Sequence, residues 1–378
     1  MPRPTILGGP SKETLNILTE AIERCATYRA IAGLVIFSGG DGPVLDAHSL
    51  ATRLFGKRAL SSRNTSEAVD WLIRLMTTRE TTGLFKAAVW GLSIDRDVAL
   101  AETSWLMPFA VLPDSYMRRK IVERIRRCYD GSVWMTQNYF DAPSAAFVEQ
   151  VRGFPYIRED NAAFLKMDEL IWKAHEFFIL AQAACIGHPL AVACWFEYAD
   201  SELEYAEWEN DCTWLLPEIP PHVKRLISVD VDDIQASVAG YYLLPEEQRG
   251  RLFRSMERFR LSQSRREAVD RVLDLALAFE IAVSERGDNA PPGWKVSVRS
   301  AQMIGGPLAA RQQTREKIGA LYELRNQAAH GATLKTKSAK TSVDEVLQES
   351  CDLYVALVKR LLSLREKPDW KSIELGGK

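Results

Sequence analysis

The chain has 378 residues, more than one typical domain, and its 47% hydrophobic content supports packed globular units and excludes a disordered chain. A formal net charge of −2 and a pI near 6.3 exclude a polycation built to coat nucleic acid or an acidic membrane, so any nucleic-acid contact has to come from a local patch. The six cysteines (Cys25, Cys128, Cys185, Cys194, Cys212 and Cys351) form no C-x-x-C pair or other metal-ligand spacing, which predicts reduced, mostly packed thiols and no metal site.

The opening stretch "MPRPTILGGPSKETLN" has no apolar core of signal-peptide length, and no window approaches the unbroken apolar run that crosses a bilayer. A cytoplasmic protein with no membrane partner is the expectation. Up to about Pro220 helical and strand signals alternate. "SKETLNILTEAIERCATYRA" and "SEAVDWLIRLM" carry apolar residues at three-to-four spacing after Ser or Thr caps, the pattern of amphipathic helices. "AGLVIFSGG", "FKAAVWGLSI" and "PLAVACWFEY" are short apolar runs stopped by Gly, Asp or Pro, the pattern of buried strands. A mixed α/β region follows, whose strand order the pattern does not reveal.

From about Ser228 the strand signals vanish and helical patterns succeed one another to about Glu366, broken by "RGDNAPPG", "GGP" and "GATLKTKSAKT". The expected fold class is therefore α+β, with an N-terminal α/β region over 1–225, an all-helical bundle over 228–366 and a C-terminal tail over 367–378.

Within the helical part, "LYELRNQAAHG" stands out. Ile318, Leu321, Leu324 and Ala328 form its apolar stripe, and Gly331 suits the position just past a helix end. At 100° per residue Asn326 and His330 lie about 40° apart on one face, whereas Arg325 and His330 are about 140° apart. One straight helix does not bring all three to one atom. Two such helix ends packed about a two-fold axis would line a shared cleft with both sets, which predicts a homodimer.

This motif, with the upstream "DRVLDLALAFEIAVSE" and "WKVSVRSAQMIGG", resembles the Apea-like branch of the HEPN superfamily over roughly Ser228 to Glu366. The resemblance implies an all-helical dimerising domain, often a metal-independent endoribonuclease of prokaryotic antiviral defence or toxin systems. It also implies that Arg325, Asn326 and His330 stand where that family has its catalytic Arg, polar residue and His. Some members use the fold as a non-cleaving RNA-binding or interaction module. The chemistry also has its own logic. A histidine, with a reference pKa of about 6.5, can take the proton of an RNA 2′-hydroxyl near neutrality. The planar fork of Arg325 matches the phosphate oxygens on which charge gathers, and Asn326 could orient phosphate or imidazole. Products would be a 2′,3′-cyclic phosphate and a 5′-hydroxyl, without metal or cofactor. The plainer alternative makes His330 a helix-end cation favoured by the macrodipole and Arg325 the partner of a carboxylate.

Further groups surround this motif. Glu280 interrupts the apolar run "LALAFEIAV" and should meet Arg299 or Arg325, as an ion pair or as the group that orients Arg325. Arg251, Arg254, Arg258 and Arg265 fall on one helical face in a segment, Arg249 to Arg271, with eight arginines against three acids. That face is a candidate phosphate-tracking surface, or else a solvated face paired with neighbouring carboxylates. Lys335, Lys337 and Lys340 follow His330 and could help hold RNA. Between His175 and His222 there is no Lys or Arg, while Glu197, Asp200, Glu202, Glu204, Glu207, Glu209 and Asp211 cluster among aromatics. Such a stretch would repel RNA and could receive a basic partner. No phosphate-cradling loop, nucleophile elbow or zinc helix occurs. The expected reading is a ribonuclease with a trigger-binding N-terminal region. The competing reading is a non-catalytic dimerisation or binding module. A DNA-binding regulator is disfavoured by the absence of a helix-turn-helix pattern.

Overall fold

In a computed structural model the described residues are 10–37, 44–60, 64–129, 143–184, 189–204, 213–214, 227–228, 230–285, 292–337 and 341–376. The N-terminal part opens with helices α1 (Lys12–Arg24) and α2 (Ala26–Arg29), a short strand β1 (Val35–Ile36), and helices α3 (Ala47–Leu60) and α4 (Thr65–Thr77). The Ser11 hydroxyl accepts the Thr14 N–H at 3.1 Å and starts α1. The expected single helix through Ala30 is split, because Cys25 adopts extended backbone between α1 and α2. Asn64, rather than a Ser or Thr, caps α4.

Strands β2 (Glu80–Trp90), β3 (Leu92–Ser93), β4 (Val98–Ala101) and β5 (Ser104–Pro108) follow, then α5 (Tyr116–Tyr129), β6 (Ala145–Pro155) and β7 (Ile157–Arg158). Helix α6 (Ala162–Ala184), β8 (Leu190–Tyr198), α7 (Ser201–Glu204), β9 (Thr213–Trp214) and β10 (Ile227–Ser228) complete this half. The main sheet is antiparallel with order β4-β5-β6-β2-β8-β9, and Ala87 of β2 faces Phe147 of β6 and Cys194 of β8. The run "FKAAVW" is apolar on both faces because β2 is covered on both. Phe85, Ala87 and Val89 join the main core, while Ala88 and Trp90 pack with Phe109, Met117 and Ile121 on the other side. Lys86 is buried on that second face and pairs with Glu197, whose carboxylate also accepts from Trp195 Nε1 (2.7 Å) and Ser115 Oγ (2.6 Å). Buried charge is tolerated when its hydrogen-bonding capacity is filled in this way.

The acidic stretch is therefore not an open acidic surface where it is described. Glu197 is inside, Asp200 pairs with Arg74 and Glu202 with Lys57. Strand β2 supplies Lys86, and the packing of α3 and α4 supplies Lys57 and Arg74, all from earlier in the chain, which a local charge count does not register. Glu207, Glu209 and Asp211, and the side chain of Glu204, lie outside the described residues.

The C-terminal part is helical: α8 (Val231–Leu243), α9 (Glu246–Ser264), α10 (Ala268–Val283), α11 (Pro292–Ile304), α12 (Leu308–Ala329), α13 (Val343–Leu364) and α14 (Trp370–Glu374). The whole is α+β. At its centre α10 buries Val272, Leu275, Ala276, Phe279 and Val283 against α9, α12 and α13. Tyr354 of α13 stacks on Phe259 (4.5 Å), and its hydroxyl meets Ser255 Oγ at 2.6 Å. Helix α6 joins the halves. Its Phe177 and Phe178 pack on Phe147 of the sheet, its body lies against α8, α9 and α13, and one buried cluster runs from Ile22 to Trp370. After Glu366 the chain folds back, with Trp370 fully buried and Arg299 held between its indole (5.5 Å), the Glu374 carboxylate (2.7 Å) and the Val283 carbonyl (2.7 Å). Among the described residues no helix is long and apolar enough to cross a membrane. Cys194 and Cys351 are buried, and Cys25 is half-buried.

Trp370→Ala should lower stability by about 3–5 kcal/mol, as expected for deleting a buried aromatic ring, measurable by denaturant titration. A second expectation concerns His175 of α6, whose burial, reinforced by the Arg260 charge, pushes its pKa down from 6.5 to about 4. Between those values the unfolded chain binds a proton that the folded chain refuses, so stability should fall as pH drops from about 6.5 to about 4. Melting temperatures of His175→Gln should decline less over that interval than those of the parent.

Candidate nucleic-acid interface

Helix α12 runs straight from Leu308 to Ala329, its apolar stripe Ile318, Leu321, Leu324 and Ala328 buried against α10, α11 and α13. It stops because His330 leaves the helical conformation and Gly331 takes φ 69°. The Ala332 N–H bonds the Gln327 carbonyl (2.9 Å) and the Gly331 N–H the Ala328 carbonyl (3.1 Å), the paired closure of a Schellman end. A side chain at a positive φ is strained, so Gly331 lets the chain turn immediately after His330.

Asn326 and His330 are both exposed, and their side chains form no hydrogen bond or ion pair among the described residues. Arg325 points elsewhere, toward α10. Its Nη2 lies 3.7 Å from Glu280 Oε1, a carboxylate oxygen that is buried and accepts no hydrogen bond. The Arg325 side chain keeps 38% of its surface exposed and forms no hydrogen bond among the described residues. Tyr322 packs beside this pair, and burial followed by the nearby Glu280 charge pushes its phenol well above the usual range. Of the two expected partners for Glu280, Arg325 is the one in place. Arg299 is committed to Glu374, so it is removed from the group around Arg325 and acts in anchoring α14.

Most of the arginine face of α9 is paired with α10 while staying partly open to solvent. Arg258 and Arg265 both grip Asp274, at 3.1 and 2.9 Å, and Arg251 donates to the Ser284 carbonyl (2.6 Å) and the Gln248 side chain (3.0 Å). Only Arg254 of these four is exposed and unpaired among the described residues. The phosphate-tracking stripe expected of this helix is thus mostly an inter-helix clamp, because Asp274 is buried and needs cations.

The segment after His330 folds back along α12. Gln327 holds it there, donating from Nε2 to the Lys335 carbonyl (2.9 Å) and accepting the Lys335 N–H at 2.7 Å. Lys335 is exposed, Lys337 pairs with Glu323, and Lys340 lies outside the described residues. This fold-back, with α11 and α12, encloses an open groove of about 740 Å³ that includes Trp294, Arg315, Glu316, Gly319 and Lys335. Sequence pattern alone does not assemble this groove. Its only advance signals were a glycine inside a long helix and a tryptophan at a helix start. The sequence of α5 holds a further cationic run, with Arg118, Arg119, Lys120, Arg124, Arg126 and Arg127 against a single acid, Glu123. Among the described residues no group of three or more His, Cys, Asp or Glu side chains is placed to hold a metal ion.

The chain matches no known protein family, no curated protein and no solved structure.

Gly331→Ala should cost about 1 kcal/mol of stability, the penalty for a side chain in the left-handed region. Thermal unfolding measures it, and an unchanged melting temperature would contradict the helix end described above.

Proposed function

We propose that the helical part of this chain is a HEPN-type, metal-independent endoribonuclease acting in the cytoplasm as a homodimer, its site made of Arg325, Asn326 and His330. The observation that carries this reading is the end of α12. Two unpaired polar side chains share one exposed face there, and an adjoining guanidinium is steadied by a carboxylate without being consumed by it. His330 would exchange the 2′-hydroxyl proton, Arg325 would stabilise the charge gathering on phosphorus oxygens, and Asn326 would position the phosphate. Glu280 is a positioning residue for Arg325. Because Arg325 leaves the helix about 140° from His330, the pair converges only if a second copy supplies one of them. Prokaryotic antiviral defence or a toxin system is the setting this reading implies, with the N-terminal region receiving the trigger.

A second reading rests on the same angle. In a single chain Arg325 and His330 diverge and Arg325 already has a carboxylate, as in a non-catalytic module that dimerises or binds RNA or protein.

Cleavage of a labelled RNA pool in EDTA separates the two. Wild type should yield cyclic-phosphate ends. His330→Ala and Arg325→Ala should each lose about 10²-fold or more in rate while keeping fold and oligomeric state. No cleavage by any of the three proteins, with dimers intact, would leave the binding module as the reading that stands.

A further inference from the structure

The groove between α11, α12 and the segment folded back after His330 lies on the same side of α12 as the proposed catalytic face. Counting 100° per residue from Gly319, Gln312, Glu323, Asn326 and His330 all fall within about 40° of it. Asn326 and His330 stand about 10 and 16 Å further along the helix axis. A strand laid in the groove and continued along α12 therefore runs onto His330.

The groove's walls suit one kind of occupant. Trp294 opens α11 with 49% of its surface exposed, although a large ring of this kind is ordinarily buried. Arg315 and Lys335 are exposed and unpaired among the described residues, whereas the Lys337 charge is offset by Glu323. Glu316 is the remaining carboxylate. It is placed to accept from a base edge and would repel a phosphate. The floor is Gly319, where an added Cβ would meet nothing within 4 Å. Glycine inside a helix costs roughly 1 kcal/mol relative to alanine, and packing here does not require it. Open space above a glycine, an exposed indole and two free cations together form a slot with a stacking surface and a phosphate-binding edge. Its volume falls in the roughly 300–1,000 Å³ range of small-ligand sites.

We propose that this groove holds an unpaired nucleotide of single-stranded RNA, its base stacked on Trp294 over Gly319 and its phosphate against Arg315 and Lys335, and so leads the strand to His330. A base can enter such a slot only when splayed out of a helix, so the groove selects single-stranded over duplex RNA. This inference rests on the ribonuclease reading for its direction toward His330, but its test is a binding measurement and does not need cleavage.

Full-length His330→Ala protein is titrated into a fluorescein-labelled single-stranded RNA of mixed sequence, and separately into the same RNA as a duplex, with anisotropy as readout. The single strand should bind more tightly. Adding Trp294→Ala should weaken single-strand binding about tenfold or more, and Trp294→Phe should restore most of it. Arg315→Ala should weaken binding and flatten its salt dependence. Gly319→Leu, which fills the floor, should act like Trp294→Ala while leaving the fold intact. Unchanged affinity in Trp294→Ala and Gly319→Leu, with RNA still bound by the parent, would overturn the groove assignment and leave the ribonuclease reading untouched. No binding of RNA by the parent would overturn both. Groove variants that change oligomeric state without changing RNA affinity would overturn the assignment in favour of a protein contact.

Discussion

Helix α10 is the element around which the charges of the helical half are arranged. It is buried among α9, α12 and α13, yet besides the exposed Asp270 of its first turn it carries two largely buried carboxylates, Asp274 and Glu280, on different sides. A carboxylate taken out of water has to meet a cation or lose its charge. Asp274 holds the half-exposed Arg258 and Arg265, and Glu280 draws Arg325. These two demands decide which arginines remain free for an external anion. Among the arginines named so far they leave Arg254 on α9, and on α12 Arg315 together with part of the Arg325 fork.

The two pairings differ in kind. Asp274 receives hydrogen bonds at ordinary lengths from two guanidinium groups, which suits a permanent brace between α9 and α10. Glu280 is approached by Arg325 only to 3.7 Å and its Oε1 accepts no hydrogen bond. A loosely held guanidinium with exposed donors can shift toward a phosphate at smaller cost than one locked in a bidentate pair. The same carboxylate that orients Arg325 also points it away from His330, and for that reason a second copy enters the proposed mechanism.

The helices from α8 to α13 were legible because local chemistry marks them. Apolar residues recur at helical spacing, Asp230 and Ser342 accept N–H groups at helix starts, and Gly331 ends α12. The sheet was legible only as runs such as "FKAAVW" and "PLAVACWFEY". That β2 lies between β6 and β8 depends on pairings across more than fifty residues, for which a local window holds no record. The acidic stretch misled for the same reason, since Lys57, Arg74 and Lys86 reach it from distant positions. The arginines of α9 share a face by periodicity, whereas the pairing of Arg258 and Arg265 with Asp274 comes from the neighbouring helix. Periodicity tells which residues share a side of a helix and not which neighbour that side meets.

The sequence by itself determined the helical half, the stop after His330, the shared face of Asn326 and His330, and the need of Glu280 for a cation. Each follows from backbone geometry or from the desolvation of a single charge, both local properties. Tertiary structure alone decided that Arg325 rather than Arg299 meets Glu280, that the α9 arginines brace Asp274, and that Trp294 and Gly319 line one groove. Those outcomes depend on how whole helices pack, and packing is chosen by the burial of the entire apolar surface at once.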